Sequence, residues 1–247
     1  MDNSWYRLNK YFFSEFYFNS KKSGSKNKLK KKDIKFSIAI DGGSASGKTT
    51  GSKIISKKFK FALLSSGLVY RYLAYKIINN KNNYGRKFVF NQSKKITLKK
   101  LKNKKLYSLK VTKLASIIAR KKYIRKVLKK FQIDFIKKNK KVVVEGRDIA
   151  SKIMPNADLK IFFQCSIKEK AKRRLKEFKK YNKNITLKEV EKSLKSRDYS
   201  DKNRKESPLL FVKGAVLVDT TKMTIKQMQT KLIMLVNKIL VKKYGNI

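Results

Sequence analysis

Five short apolar runs punctuate the chain: FSIAID (36–41), ALL (62–64), VVVEG from Val142, LKIFFQC from Leu159 and AVLVD from Ala215. Their brevity and bounding polar or glycine residues predict strands. Between them, apolar residues recur at helical spacing after Lys48, after Gly67, across Val111–Lys138, over Ser166–Lys180 and from Ile225 to the end. Short apolar strands alternating with helices predict an α/β fold, with a parallel five-stranded sheet covered by helices on both faces. Between Asn79 and Lys110 the pattern fails. That Lys-rich piece is either a loose loop or a small inserted subdomain, and a structureless loop that long is unusual. No internal repeat is present.

The 247 residues suffice for one such domain with a full core and a small insert. Ahead of the first strand, NSKKSGSKNKLKKKD (19–33) is Ser/Lys-rich without apolar periodicity and reads as a flexible linker. Residues 1–33 are therefore expected to form a flexible basic extension, and residues 34–247 the domain. The aromatic start WYRLNKYFFSEFYF lacks the basic n-region and cleavage site of a signal peptide. Its Trp5, Leu8, Phe12 and Phe16 either share a helical face that lies on a membrane or on the domain, or belong to a poorly ordered extension. No run reaches the ~18 apolar residues of a transmembrane helix.

Charge changes this picture less than its size suggests. There are 66 Lys+Arg against 16 Asp+Glu, a formal +50, and no acid lies between Asp41 and Asp134. Such a balance favours anionic partners: nucleotides, nucleic acids or acidic lipid. Yet Lys, Asn, Ile, Tyr and Phe are abundant throughout while Pro is scarce, which reads as compositional drift rather than a docking patch. Absent residues say more. With no histidine, Ser-His-Asp and Cys-His catalysis and His-ligated metal sites are excluded. The lone Cys165 excludes an intramolecular disulfide or a thiolate cluster, fits a reducing compartment such as the cytoplasm, and is expected to be a buried, inert thiol.

The chemistry begins with GGSASGKT. Gly42, four residues, Gly47, Lys48 and Thr49 fit the Walker A pattern, after a strand and before a helix. This context predicts a P-loop NTPase three-layer fold. Backbone N–H groups across Gly42, Gly43, Ser44, Ala45, Ser46, Gly47 and the helix start at Lys48, Thr49 and Thr50 would surround a polyphosphate, where the helix dipole favours negative charge. Lys48 would reach the terminal phosphates and the Thr49 hydroxyl would ligate Mg²⁺, with Asp41 organising its water shell. ATP is the expected donor. The loop is silent about the acceptor.

Four further segments address it. LLSSGLVYRYLA (63–74), VVVEGRDIAS (142–151), RDYSDKNRKESPL (197–209) and LASIIARKKYIRKVL (114–128) resemble, in order and spacing, segments of bacterial-type cytidylate kinases, with the likeness running from about Phe36 to Leu240. The resemblance implies ATP-dependent phosphorylation of CMP or dCMP with Mg²⁺, a short lid at about 197–209 and a monophosphate-domain insert at about 79–110. It implies that Ser66, Tyr70 and Arg71 hold the monophosphate, that Asp148, Arg125 and Ser116 face the cytosine ring, and that Asp201 and Arg197 lie near the sugar. For Ser116 the alternative is strong, because helices contain many inert serines.

The residue types make chemical sense independently. A nucleoside monophosphate has a second phosphate pKa near ~6, so at neutral pH the acceptor needs no histidine base. Charge neutralisation by Lys48, Arg147, Arg197 and Arg204, with Arg71 at the acceptor, can carry the catalysis. A carboxylate at Asp148 can accept the cytosine amino proton and would repel the uracil carbonyl.

Two positions depart from the family pattern. Ser65 stands where Asp is usual, removing a charge, and Glu145 replaces the first Asp of DGRD, keeping a carboxylate with longer reach. In IKEKAKRRLKEF (167–178), Arg174 either contacts the donor nucleotide or belongs to a solvated basic face with pairs such as Glu169 and Arg173. Near the C-terminus, VLVDTT is expected to pass the adenine. Glu189 and Glu191 read as plain surface acids. The resulting expectation is a cytoplasmic, monomeric nucleoside monophosphate kinase, with no specific nucleic-acid partner. Its rivals are a P-loop kinase with another small-molecule acceptor and a basic nucleic-acid-binding protein.

Overall fold

In the computed structural model, residues 34–81, 84–178 and 185–245 are described. The expectations for the N-terminal extension, including its aromatic face, fall outside them.

The five apolar runs form strands β1 (Phe36–Gly42), β2 (Ala62–Ser65), β3 (Lys141–Gly146), β4 (Leu159–Gln164) and β5 (Val216–Asp219). All pairs are parallel and the spatial order is β2-β3-β1-β4-β5. Period-2 alternation sends successive side chains to opposite faces. Phe36, Ile38 and Ile40 of β1 join Val143, Leu159, Ile161 and Phe163 on one face, under α1 (Lys48–Phe59) and α9 (Ile225–Tyr244). Ala39, Val142, Val144 and Leu64 face the other way, under α2 (Ser66–Asn79), α5 (Leu109–Ile118) and α6 (Lys122–Lys138). This is the three-layer sandwich that the pattern predicts, because strands apolar on both faces must be covered twice.

Three segments are organised beyond the sequence pattern. The 79–110 piece contains α3 (Arg86–Lys94), the single turn α4 (Leu98–Leu101) and a 3₁₀ turn (Lys104–Tyr107). Val89, Leu101 and Leu106 anchor these to the α2 side of the core, so the segment is helical and packed rather than a loose loop. The run expected as one helix over 111–138 is two, broken at 119–121. The third is α8 (Leu187–Asn203), which the sequence pattern did not suggest. Its start carries a capping box in which Glu189 bonds the Thr186 backbone, so Glu189 is a cap rather than a plain surface acid. Glu191 pairs with Lys195 one turn on. α8 packs on α7 (Ile167–Phe178) through Ala171, Val190 and Leu194, a small cluster separate from the two main ones. The last turns of α8 and the extended stretch that follows reach over the C-terminal ends of the strands. There, Phe162 of β4 meets Phe211 edge-on at 5.4 Å.

β1 lies between β3 and β4, so the chain leaves it toward β2 and later crosses back to β4. A crevice opens at such a switch point beyond the strand ends. The loop after β1, the starts of α1 and α2, the turn after β3 and the start of α7 all converge there.

Candidate active site

The loop between β1 and α1 has the backbone its glycines allow. Gly47 sits at φ +90, which is strained for any side chain, and a Cβ at Gly42 would come within 2.4 Å of the Phe163 carbonyl oxygen. Lys48 is buried, and its Nζ donates to the Gly43 carbonyl at 2.8 Å. Burial, followed by the Arg147 charge, lowers its pKa from the usual 10.5 to about 7. One of the loop amides is already engaged: Ser44 N donates to the Asp198 carboxylate at 2.9 Å, and Lys170 pairs with the same group at 2.8 Å. The Ser46 hydroxyl is buried without a partner. Thr50 is exposed in the first turn of α1.

Arg173, rather than Arg174, borders this loop. Its guanidinium donates to the Thr220 hydroxyl at 3.0 Å, to the Thr220 carbonyl at 2.7 Å and to Glu169 at 3.0 Å. Thr220 in turn donates to the Ser46 carbonyl at 3.0 Å, which ties the β5 end to the loop. Arg174 pairs with Glu177 at 2.8 Å and lies 4.5 Å from the Phe178 ring centroid, while its charge still acts on Arg71 and Arg197.

Glu145, rather than Asp41, is the carboxylate that meets Thr49. Asp41 is buried, and its two oxygens accept the backbone N–H groups of Ile149 (2.9 Å) and Ala150 (2.7 Å). Burial raises its pKa to about 6, against those two bonds. Asp41 therefore clamps the turn after β3 rather than facing Thr49. The Thr49 hydroxyl instead meets Glu145 Oε1 at 3.1 Å, and the Ser65 hydroxyl donates to the same oxygen. Ser65 and Glu145 are register partners across β2 and β3. The two departures from the family pattern are thus one contact: the longer acid reaches the hydroxyl that stands in the other acid's place.

Beside the loop, four arginines converge. Arg147, in the turn after β3, donates to Asp201 at 2.8 Å and to the Ser44 hydroxyl at 3.1 Å, bridging α8 and the loop. Burial depresses the Arg197 pKa to about 10, with Arg147 adding repulsion, and its buried Nε has no partner. Burial also lowers the pKa of Arg71, which lies 5.3 Å from the Tyr107 ring centroid of the insert. Asp201 keeps a pKa below the usual range: burial pushes it up, but Arg147, Arg204 and Arg197 outweigh that. A buried guanidinium without a counter-ion is costly unless an anion comes to it.

Asp148 lies beside this cluster, 4% exposed at the start of the turn after β3. Arg125 of α6 forms an ion pair with it, and Arg204 approaches at 4.0 Å while also meeting Asp201 at 3.3 Å. The helix break at 119–121 matters here, because Arg125 donates to the freed Ala119 carbonyl at 3.0 Å. The Tyr70 ring lies 5.7 Å from Arg125, and burial pushes the Tyr70 phenol up to about 12. Ser66 is buried at the start of α2, against Gly146. Ser116 bonds its own helix, to the Lys113 carbonyl at 3.0 Å, and no contact ties it to Asp148.

A glycine loop of Walker A pattern therefore shares one crevice with a guanidinium cluster and a bracketed carboxylate. The family model for cytidylate kinase matches residues 38–238. The chain belongs to the cytidylate kinase family. A cytidylate kinase from Fusobacterium nucleatum subsp. nucleatum is 38% identical over 207 residues, covering 76% of this chain and 91% of that protein. One from Thermotoga petrophila is 36% identical over 220 residues, with 82% and 97% covered. A third, from Mycoplasmoides gallisepticum, is 35% identical over 208 residues, with 80% and 92% covered. The span matched to cytidylate kinase runs from β1 into α9, so every site residue described here falls inside it.

Residues of the crevice not singled out from the sequence include Lys170, Arg173, Asp198, Thr220 and Ser207, whose hydroxyl accepts from Arg125 Nε at 3.2 Å. For Arg173 a signal existed, the Glu169–Arg173 spacing, but that spacing marks solvated helix faces just as well. The cap sequence Thr186-x-x-Glu189 could have revealed α8, and with α8 the direction of Asp198. Nothing local distinguishes Lys170 among so many lysines.

Proposed function

We propose that this protein transfers the γ-phosphate of ATP to CMP and dCMP, giving ADP and CDP or dCDP. What carries the reading is the set of guanidinium groups, Arg71, Arg147 and Arg197, that repel one another beside Lys48, with the Arg197 Nε lacking any partner. Such a cluster suits two phosphates meeting at one point.

In this reading the loop amides hold the donor phosphates, and Lys48 exchanges the Gly43 carbonyl for a phosphate oxygen. Arg173, fixed by Thr220, lies at the nucleoside end of the donor, with Arg174 contributing charge from farther off. The acceptor phosphate sits among Arg71, Arg147 and Arg197, with Ser66 and Tyr70 beside it, and Arg204 and Asp201 close the sugar side. The base faces Asp148 and Arg125, where the carboxylate accepts the cytosine amino proton; Ser116 reaches it only by leaving its helix bond. An oxygen of the acceptor phosphate, ionised at neutral pH, attacks the γ-phosphorus in line. The bond to the leaving ADP oxygen breaks as the new one forms, and no general base takes part. Lys48 and the arginines offset the charge on the phosphoryl oxygens.

The Thr49 hydroxyl and the Glu145 carboxylate, 3.1 Å apart, are hard oxygen donors. Among the described residues no cluster of three His, Cys, Asp or Glu could hold an ion. The two oxygen donors suit Mg²⁺, with Thr49 as ligand and Glu145 through water. When bound, the ion would supply neutralisation across the β- and γ-phosphates. Among the described residues no helix is long and apolar enough to cross a membrane. The free, buried Cys165 suits a reducing compartment, and we place the enzyme in the cytoplasm.

A panel of CMP, dCMP, UMP, AMP and GMP with ATP and Mg²⁺ tests the reading. A cytidylate should have the highest kcat/KM; preference for UMP or AMP over both cytidylates would sink the base assignment.

A further inference from the structure

Ser207, in the stretch after α8, touches both arginines that bracket Asp148. Its hydroxyl accepts from Arg125 Nε at 3.2 Å, and its carbonyl accepts from Arg204 Nε at 2.7 Å. Those arginines come from elements 79 positions apart in sequence, Arg125 on α6 and Arg204 at the end of α8. Each guanidinium already has another anchor beside Asp148, Arg125 at the Ala119 carbonyl and Arg204 at the Asp201 carboxylate. Ser207 adds an acceptor at Nε, and acceptors on both Nε and Nη fix the plane, because the donors of the fork are rigidly related.

The backbone at Ser207 is unusual as well. Its φ is +53, in the left-handed region that an L-residue avoids, and Pro208 follows, which restricts the preceding residue further. Neighbouring bonds hold it there: Leu209 N donates to the Asp201 carbonyl at 2.7 Å, pinning the far side of the bend to α8. The bend turns the Ser207 carbonyl toward Arg204 and its hydroxyl toward Arg125. An unfavourable conformation persists where the surrounding contacts over-determine it, and such places cluster at ligand clamps.

We propose that Ser207 is a positioning residue for base selection: by holding Arg125 and Arg204 in fixed planes against Asp148, it keeps that carboxylate aimed at the cytosine amino group. The inference rests on the base site described under Proposed function. It also ties the stretch after α8 to base recognition, since Ser207 can engage Arg125 only when that stretch is docked.

Three variants separate this role from a structural one. Ser207→Gly removes the hydroxyl and relieves the backbone, so it should melt no lower than the parent. Its KM for CMP should rise about tenfold, the order expected for losing one hydrogen bond to a charged group, and the CMP-over-UMP ratio of kcat/KM should fall to a similar extent. The KM for ATP should stay within twofold of the parent (roughly, as expected for a contact remote from the donor). Ser207→Ala should lose selectivity in the same way despite keeping the strain, and Ser207→Asn, which tolerates the left-handed backbone and offers a side-chain acceptor oxygen, should recover most of it. The proposal is overturned if Ser207→Gly keeps the parent's KM for CMP and its base ratio, or if it loses kcat and ATP affinity together. A parent enzyme that does not favour CMP over UMP would overturn the base assignment itself, and the role of Ser207 with it.

Discussion

Lys48 offers a measurable consequence of burying a charge inside a ring of charges. Its pKa falls from 10.5 to about 7, first through burial and then through Arg147. A depression of that size corresponds to roughly 5 kcal/mol of disfavour for the protonated form. A bound polyphosphate supplies the missing counter-charge and brings the pKa back up. At pH 8 the free protein then carries about a tenth of a proton on Lys48 and the nucleotide complex nearly a whole one, so binding takes up close to one proton. Calorimetric titration of ADP at pH 8 in two buffers of different ionisation enthalpy reads this number directly; ADP itself is fully ionised there. Affinity should also weaken about tenfold per unit above pH 8. Lys48→Arg keeps the charge without titrating and should bind ADP with no uptake. Zero uptake by the parent, or unchanged uptake by Lys48→Arg, would refute the argument. The same shift acts on folding. Between pH 7 and 10.5 the unfolded chain holds the Lys48 proton more tightly than the folded one does, so this group makes the free protein more stable as pH rises through that window.

Three further outcomes follow from the geometry. Ser65→Asp sets a second carboxylate against Glu145 Oε1 and should lower kcat about tenfold at neutral pH, while Ser65→Asp with Glu145→Asp should recover most of it; a strictly additive cycle, instead of coupling of about 1–3 kcal/mol, would separate the two positions. Asp198→Asn removes the charge that occupies the Ser44 amide and pairs Lys170, so ADP should bind about five- to tenfold tighter by calorimetry, and equal or weaker binding would exclude competition between carboxylate and phosphate. Arg173→Ala should raise the KM for ATP about tenfold and Arg174→Ala much less, because only Arg173 is held against the loop by Thr220; the reverse order would restore Arg174 as the donor contact.

What could be read from the residues was whatever is carried by short stretches. Strands apolar on both faces, a glycine loop between a strand and a helix, and arginines inside tight motifs each fix their own surroundings, so the three layers, the P-loop and the segments that bring the arginines together were all legible. Directions between distant segments were not. Asp41 looked like a metal-side acid from its place beside the loop, but only the fold turns it toward the Ile149 and Ala150 amides and brings Glu145 to Thr49 instead. Ser65 and Glu145 look like two independent departures until the β2–β3 register makes them one hydrogen bond. Arg173 and Arg174 are adjacent and chemically identical; about 100° of helical rotation sends one to Thr220 and the other to Glu177. Nothing local marks the reach of Ser207 to Arg125, because that arginine lies on a helix that meets it only in the folded chain. Local pattern sets what each segment becomes; the sheet order and the reach of α8 decide which side chains meet, because side-chain contacts depend on distances that sequence separation does not encode.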